Sequence, residues 1–336
     1  MARDRKAEHI ELSLKPEVQS RWNYFDAYRF EHNALPEIDF SEIDTRTTFL
    51  GKTIQAPILI SSMTGGTTLA KDINTHLALG AEEEGIPLAL GSQRKAIEDA
   101  NQADTFKIRP SAPSIPILGN VGAVQFNYGF GLEECQKMVD MVEADALILH
   151  LNPLQEVLQP EGQTNFSSLL SKIEQIANQL PVPLIAKEIG CGLSASVAQK
   201  LVNHGVHILD TAGAGGTSWA RIETLRSGEA NLGDLYAEWG IPTPVSIKQV
   251  ASVPGATTIG SGGVRSGLDA AKAIALGADL VGFASPFLQP AIQSAQAVQD
   301  TIARITHELK VAMFCVGAKT IEELKKAPLY HRSERL

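Results

Sequence analysis

Hydrophobic and polar positions repeat along the chain in a unit that recurs from about residue 54. Each unit has a short apolar run, then a glycine-rich or polar stretch, then a segment with helical spacing, which is the order of βα units in a parallel sheet. The runs are uniformly apolar rather than alternating, as expected for strands covered on both faces. The eight predicted strands are APILISSM, IPLALGS, IPILGNVGA, ADALILHLN, VPLIAKEIG, VHILDTAG, ATTIGSGG and ADLVGFAS.

The segments between these runs predict helices, and one of them is flanked by Ser194 and Gly205, which suit an N-cap and a C-cap. Eight βα units without a spare strand favour an α/β fold closed into a (β/α)8 TIM barrel. An open doubly wound sheet is the alternative, although such sheets more often have about five or six strands. The predicted helices cover residues 68–84, 131–143, 165–180, 194–204, 266–276 and 287–313.

The 336 residues suffice for one large core, and α/β barrels commonly use this length as a single domain. We expect a barrel over 54–313, with an N-terminal extension over 1–53 and a C-terminal tail over 314–336. The segment TSWARIETLRSGEANLGDLYAEWGIPTP after the sixth strand is long for a βα loop. Long loops at the C-terminal face of a barrel are candidates for lids and substrate contacts.

Charge and cysteine content narrow the class of protein. The net charge of −9 argues against a nucleic-acid or anionic-membrane surface, because such partners normally require a basic face. Cys135, Cys191 and Cys315 are widely separated and lack metal-ligand spacing, which disfavours a disulfide framework or a zinc site. The N-terminus has no apolar signal region, and no run reaches the roughly 18 apolar residues of a membrane span. We therefore expect a soluble enzyme of the reducing cytoplasm.

The most specific local motif is GSGGVRSGLDAAKAIALGADLVGFASP, at residues 260–286. Gly262 and Gly263 allow close approach of the backbone to a ligand, and the helix that follows is expected to offer unpaired N–H groups. Barrels often bind phosphate between the loops after strands seven and eight, which adds the amides of Ala284 and Ser285. This motif predicts a phosphate site.

Lys187 ends the fifth strand, where an ammonium among apolar neighbours needs an anionic partner. One interpretation is an ion pair with Glu188 or Asp210 inside the barrel mouth. The other is a reduced flavin, whose negative charge lies over N1 and the C2 carbonyl. Lys187 alone fits both interpretations equally, and the neighbouring phosphate motif favours the flavin.

Polar groups also end other strands and together line one rim. They suit the donors and acceptors at the edges of a flavin ring, although each alone resembles ordinary turn chemistry. HLNPLQE after the fourth strand adds His150, Asn152, Gln155 and Glu156, of which Glu156 would hold Mg2+ or simply favour the start of a helix. The rim groups are Ser61, Ser62, Thr64, Ser92, Arg94, Asn120 and Thr217.

The motifs RKAEHI, SSMTGG, GSQR, GNVGA, HLNPLQE, AKEIG, GAGGTSWARIE and SGGVRSGLD occur in one order along essentially the whole chain. In these motifs the sequence resembles the type 2, FMN-dependent isopentenyl-diphosphate delta-isomerases. The resemblance implies interconversion of isopentenyl and dimethylallyl diphosphate by a 1,3-shift of a double bond, with reduced FMN as acid and base. It also implies Mg2+, NAD(P)H as the reductant and a homo-oligomer, either a tetramer or an octamer.

The resemblance also assigns roles to residues of this chain. Glu156 would hold Mg2+, while Gln155, His150 and Lys187 would be the catalytic groups. As an amide is a poor base, Gln155 would relay a proton or orient the substrate. The substrate would be bound by Arg5, Lys6, His9, Ser92, Arg94, His150, Asn152 and Gln155. FMN would be bound by Ser61, Ser62, Met63, Thr64, Ser92, Asn120, Lys187, Thr217, Gly263, Val264, Arg265, Ala284 and Ser285.

Two other functions compete with this one. FMN-dependent 2-hydroxy-acid oxidases share the phosphate turn and the strand-five lysine, but usually carry a His followed by Gly-Gly-Arg as the base where this chain has AGAGGTSWAR. A barrel that binds phosphate without turnover is the second competitor, because a fold does not fix a function. The density of polar groups on the rim argues against that competitor.

Overall fold

The computed structural model of the chain describes residues 5–228 and 230–335, within which the eight predicted strands form a closed parallel barrel. Each barrel strand pairs with the next along the chain, and the eighth pairs with the first, where Val281 stands opposite Ile58. The (β/α)8 prediction is confirmed. The strands are β1 (Tyr28–Phe30), β2 (Thr47–Phe49), β3 (Lys52–Ile54), and the barrel strands β4 (Ile58–Ile60), β5 (Leu88–Ala89), β6 (Ile117–Gly122), β7 (Ala146–Leu151), β8 (Leu184–Glu188), β9 (Ile208–Asp210), β10 (Thr257–Ser261) and β11 (Leu280–Phe283), followed by β12 (Leu329–His331).

Apolar side chains from the eight barrel strands fill the interior, with the partly buried Ile208 as the contribution of β9. Alternate residues of a strand share a face, so that Ile148 and Ile185 point inward from neighbouring strands and pack together. A second apolar layer lies outside the strands, beneath the helices, which explains the uniform rather than alternating runs. We call the interior set the inner core: Leu59, Ala89, Leu118, Ala146, Ile148, Ile185, Ile259 and Leu280, with Phe49 and Ile54 beneath them.

A hairpin closes the end of the barrel where the strands begin. β2 and β3 pair antiparallel, and Phe49 and Ile54 of this hairpin enter the inner core. Lys52 Nζ lies 2.7 Å from Asp145 Oδ1, and an Arg109 nitrogen lies 2.8 Å from Asp145 Oδ2. This end is thus closed by apolar contacts and by paired charges.

The helices agree with the prediction except near the C-terminus. The single helix predicted over 287–313 is wrong, because two helices meet at Ser294 and the second continues to Val316. Ser294 has an extended backbone, and its side chain caps the second helix by accepting from Ala297 N. Within residues 5–228 and 230–335, no helix has both the length and the apolar character needed to cross a membrane. The helices are α1 (Arg5–Ser13), α2 (Thr68–Glu83), α3 (Arg94–Glu98), α4 (Leu132–Val142), α5 (Pro153–Leu158), α6 (Leu169–Ala177), α7 (Ala195–Asn203), α8 (Trp219–Ser227), α9 (Ala230–Leu235), α10 (Thr243–Ala251), α11 (Gly267–Ala275), α12 (Ser285–Gln293), α13 (Ala295–Val316) and α14 (Ile321–Leu324).

The N-terminal extension packs against both the C-terminal tail and the barrel mouth. β1 pairs antiparallel with β12. Farther toward the N-terminus, Gln19 forms a β-bridge with Thr217, and Ser20 N donates to Gly216 O at 2.7 Å. These bonds hold the extension against the loop after β9, beside the C-terminal ends of the strands.

Candidate active site

A layer of polar side chains lies directly above the inner core, at the C-terminal ends of the strands. Two positions after Ile148 and Ile185, on the same inward face, stand His150 and Lys187. His150 is paired in register with Lys187, and Lys187 with Asp210, so the three are neighbours on adjacent strands. Barrel enzymes place their active sites at this face. We call this set the polar layer: Ser61, Asn120, His150, Lys187, Asp210 and Ser261.

A chain of hydrogen bonds fixes one side of the polar layer. His150 Nδ1 donates to Asn120 Oδ1 at 2.8 Å, and Asn120 Nδ2 donates to Ser62 Oγ at 2.9 Å. Gly122 makes room for the imidazole, because a Cβ there would lie 2.9 Å from His150 Nε2. Ser61 Oγ is buried and has no hydrogen-bond partner among the residues described. The structure therefore brings together residues from three separate strand ends and leaves one hydroxyl available to a ligand.

Lys187 is buried, with 8% of its surface exposed, and its Nζ donates to Glu188 O at 2.7 Å. Neither ion pair considered for it forms, because no carboxylate oxygen of the described chain lies within 4.0 Å of Nζ. The Glu188 carboxylate instead accepts bonds from the backbone N–H groups of the three residues that follow it. An ammonium has three donors, so Lys187 retains the capacity to bind an anionic ligand such as a reduced flavin.

Two glycine loops pack backbone against backbone beside the polar layer. Gly262 and Gly263 have φ values of +105° and +71°, which favour glycine. A Cβ on Gly262 would lie 2.2 Å from Gly213 O, and a Cβ on Gly263 would lie 2.2 Å from Gly215 O. The loops after β9 and β10 can meet in this way only because neither glycine carries a side chain.

The backbone amides show where a phosphate fits, and they correct one expectation. The sequence predicts unpaired N–H groups at the start of α11, but Gly267 N donates to Glu308 Oε2 at 2.7 Å and Arg265 N donates to Asp269 Oδ2 at 3.1 Å. These carboxylates are favourable beside the positive end of the helix and occupy its donors. Within the described residues, other amides around β10 and β11 make no hydrogen bond and fit one phosphate group. They belong to Gly263, Val264, Ala284 and Ser285.

The remaining residues predicted to bind flavin lie around the mouth. Thr64 is buried, and its carbonyl accepts from Gly91 N at 3.2 Å, while Met63 is half-buried against the outer apolar layer. Thr217 Oγ1 accepts from Gln19 Nε2 at 3.1 Å, so this residue is also a contact of the N-terminal extension. The structure therefore groups these residues with the polar layer at one end of the barrel.

Glu156 is a buried carboxylate surrounded by neutral donors. It accepts from Asn152 Nδ2 at 2.8 Å, from Gln159 Nε2 at 2.6 Å and from Gln163 N at 2.6 Å. No cluster of three or more His, Cys, Asp or Glu side chains suited to a metal occurs in the part of the chain that the structure describes. A single carboxylate suits Mg2+ when phosphate oxygens of a substrate and water complete the ligand set. Glu156 fits Mg2+ in that arrangement.

Glu223 on α8 is a site residue that the sequence analysis missed. It is fully buried, accepts from Gln155 Nε2 at 2.7 Å through Oε1, and has His9 Nε2 at 3.1 Å from the same oxygen. Arg226 pairs with its other oxygen. Burial alone raises the pKa of Glu223, but hydrogen bonds and charge from His9, Gln155 and Arg226 outweigh burial and lower it. The available signal was the Glu-x-x-Arg spacing within the long loop, which pairs charges on a helix.

The motif RKAEHI, at the start of α1, reaches the same rim. Lys6 Nζ donates to Ser92 O at 3.0 Å. Arg94, just after Ser92, donates through one nitrogen to Gln163 Oε1 at 3.1 Å, beside the segment that carries Glu156. Arg5 begins α1, but its side chain lies outside the described part of the structure. The described basic groups thus stand above the mouth, on the side of Glu156.

Known proteins are similar to this chain in sequence or in fold. A family model described as FMN-dependent dehydrogenase matches residues 9–112 and 151–331. A mandelate oxidase variant with an FMN adduct has a TM-score of 0.65, covering 96% of this chain and 92% of its own, but at 14% identity it shows only the fold.

Two curated relatives are far more similar in sequence. A protein of Nostoc sp. named isopentenyl-diphosphate delta-isomerase is 51% identical over 327 residues, which are 96% of this chain and 93% of its own length. One of the same name from Rickettsia bellii is 50% identical over 330 residues, which are 97% and 96% of the two chains. The chain therefore belongs to the FMN-dependent dehydrogenase family and, within it, to the isopentenyl-diphosphate delta-isomerases.

Proposed function

We propose that this protein interconverts isopentenyl diphosphate and dimethylallyl diphosphate, using reduced FMN and Mg2+ without net oxidation or reduction. The near-full-length identity of about 50% to relatives of that name carries the proposal. The site supplies a physical basis, since free amides suited to a phosphate, a buried ammonium and a buried carboxylate all lie at the C-terminal end of the barrel strands.

The chain's own groups fit FMN as follows. The amides of Gly263, Val264, Ala284 and Ser285 hold its phosphate, while Ser61, Ser62 and Asn120 meet the ring edges. Lys187 stabilises negative charge on the ring from the adjacent strand end. When bound, reduced FMN would supply the proton that is added to the terminal carbon of the substrate double bond.

Substrate binding divides between the polar rim and the apolar walls. Lys6, Ser92 and Arg94 bind the diphosphate, and Glu156 would hold Mg2+. The other substrate contacts are Arg5, His9, His150 and Asn152. Apolar side chains around the mouth exclude water from the developing carbocation.

Gln155 is fixed at both ends in a way that suits proton relay. Its Oε1 accepts from Asn152 Nδ2 at 3.0 Å, and its Nε2 donates to Glu223 Oε1 at 2.7 Å. A proton removed from C2 of the substrate at Gln155 Oε1 is balanced by release of the Nε2 proton to Glu223. The carboxylate then acts as the base, which resolves the weak basicity of the amide.

Beyond the reaction, we infer NAD(P)H as the source of electrons for the flavin, a cytoplasmic location and a homo-oligomer, either a tetramer or an octamer. The acidic net charge of −9 favours small-molecule substrates over nucleic acid or a membrane surface.

The deciding experiment incubates isopentenyl diphosphate anaerobically with purified protein, FMN, Mg2+ and a reductant, and follows the appearance of dimethylallyl diphosphate. We expect turnover that stops on chelation of Mg2+ and is absent with oxidised flavin. Bound, reduced flavin without allylic product would overturn the proposal. Oxygen consumption with lactate or glycolate would instead favour a 2-hydroxy-acid oxidase, and a protein that takes up no FMN would favour a non-catalytic barrel.

A further inference from the structure

Asp210 is a buried carboxyl group to which the proposed reaction gives no role. It is fully buried in the polar layer, at the position paired in register with Lys187. Its Oδ1 accepts from Ser261 Oγ and from Ala212 N. Its Oδ2 is buried and has no partner among the described residues. Because a buried carboxyl oxygen without a donor is costly, its retention calls for an explanation.

Support of the local turn explains only one of the two oxygens. Ala212 has a φ of +33°, which residues other than glycine rarely adopt. Its N–H points to Asp210 Oδ1 at 3.3 Å and to Ser261 Oγ at 3.1 Å, so these two residues hold the strained turn. Oδ2 takes no part in those bonds.

Besides supporting the turn, the Asp210 carboxylate has a second role, which follows from its negative charge beside the positive charge of Lys187. Lys187 and Asp210 are opposite in charge and adjacent in register, yet they form no direct ion pair. Glu188, on the opposite face of the strand, has one carboxylate oxygen bound by three backbone amides. Within the described part of the layer, the field of Asp210 therefore opposes that of Lys187 at a ligand bound above both.

We propose that Asp210 is a positioning residue whose negative charge offsets Lys187 and limits how strongly the site favours an anionic reduced flavin over the oxidised form. This inference rests on the proposed function, since it requires FMN above the polar layer. A site that over-stabilised the anion would make the reduced flavin a poorer acceptor for the returning proton. Asp210 thus keeps the proton transfer balanced in both directions.

The test compares the dissociation constants of oxidised and reduced FMN, measured anaerobically, in the wild type, Asp210→Asn and Ser261→Ala. Asp210→Asn keeps an oxygen for the turn but removes the charge. We expect it to raise the ratio of the oxidised to the reduced dissociation constant by about tenfold or more. For a two-electron couple, tenfold is a rise of about 30 mV in the flavin potential.

Ser261→Ala is the matched control, because it keeps the carboxyl group of Asp210 and removes the hydroxyl that bridges Asp210 and the turn. We expect it to weaken both forms of FMN alike and to leave the ratio unchanged. If both variants lower both affinities equally, Asp210 only supports the turn and the inference is overturned.

The outcomes separate this inference from the proposed function. Wild-type protein that binds no FMN contradicts the proposed function. Wild-type and variant proteins that bind FMN with one common ratio contradict only the role of Asp210. If Asp210→Asn does not fold, Asp210→Ser removes the charge without placing an amide at the buried Oδ2 position, and its ratio decides in the same way.

Discussion

Where the barrel strands begin, Ile148 and Ile185 pack in the inner core above Phe49 of the hairpin, and Asp145 is paired with two cations. Two residues later on the same strands stand His150 and Lys187. At that level, within the described chain, polar atoms such as Ser61 Oγ have no partner. The inner core and the Asp145 ion pairs thus form a closed set of contacts, whereas the polar layer keeps donors and acceptors for a ligand. On β7 and β8, a side chain of the inner core and a side chain of the polar layer therefore lie only two positions apart on the same face of the strand.

The largest expected effect comes from a comparison of the inner core and the polar layer on β8. Ile185→Ala removes a fully buried side chain from the inner core and should reduce the free energy of unfolding by about 2–5 kcal/mol. Lys187→Ala, two residues later, should weaken FMN binding by about tenfold to a hundredfold with little loss of stability, because it removes a charge-assisted contact to the ligand. Urea unfolding and FMN titration measure the two effects. Equal loss of stability in both variants would contradict this difference between the two layers.

The second prediction compares two glycines with positive φ at opposite ends of the barrel. Gly263→Ala places a Cβ against Gly215 O and should weaken FMN binding about a hundredfold by displacing the phosphate loop. Gly255 has a φ of +82° but only ordinary contacts, so Gly255→Ala should lower stability by about 1 kcal/mol and leave FMN binding intact. FMN titration of both variants checks this. Equal FMN affinity in the two variants would show that the loop tolerates the displacement.

A third prediction concerns the carboxylate beside the polar layer. Glu156→Gln should raise the Mg2+ concentration needed for half-maximal activity by about tenfold or more, because an amide oxygen replaces a charged ligand. FMN affinity should not change, since Glu156 bonds to Asn152, Gln159 and Gln163 rather than to the phosphate loop. Glu133→Gln, at an exposed ion pair on α4, is the control. A loss of FMN in Glu156→Gln would assign the residue to the flavin site instead.

The barrel and its polar layer could be predicted because both follow from the sequence of strands and helices along the chain and from the residues at the strand ends. Parallel strands bring their C-terminal ends together, so residues such as Asn120, His150 and Lys187 had to meet once eight strands were counted. The break at Ser294 depends on a single capping side chain that competes with a continuous apolar pattern. The apolar pattern alone predicts a single helix there.

Contacts between distant segments could not be predicted. Glu308 lies on the last long helix, and nothing in its neighbourhood along the chain indicates that it takes the amide of Gly267. Glu223 likewise becomes a site residue only when α8 packs beside His9 and Gln155. Such positions depend on how helices pack around the barrel, which periodicity does not specify. A single sequence therefore indicates the polar ends of strands better than the charged groups behind them.

The smallest expected effect is an opposite pH dependence at the two ends of the barrel. Burial alone raises the pKa of Asp145, but Lys52, the Ile117 amide and Arg109 outweigh burial and lower it from its ordinary value of 3.8. The stability that Asp145 contributes is thus present above that value and lost as pH falls through the lowered pKa. Asp145→Asn should therefore differ most from the wild type near neutral pH, by less than about 1 kcal/mol because solvent screens the pair.

Burial raises the pKa of Asp210, and the charge of Lys187 and the hydrogen bonds from Ser261 and Ala212 only partly oppose this rise. Its favourable contribution is present at low pH and is lost as pH rises through the raised pKa, so Asp210→Asn should gain stability relative to the wild type in that direction. Urea unfolding of the flavin-free proteins at a series of pH values measures both differences. Asp145 has its cations within 3 Å, whereas Asp210 has none within 4.0 Å. The difference in free energy of unfolding between variant and wild type should therefore change with pH in opposite directions at the two residues. A change in the same direction at both residues would mean that Lys187 already neutralises Asp210 in the flavin-free protein. The charges of the polar layer would then be paired with one another, as they are at the lower end of the barrel.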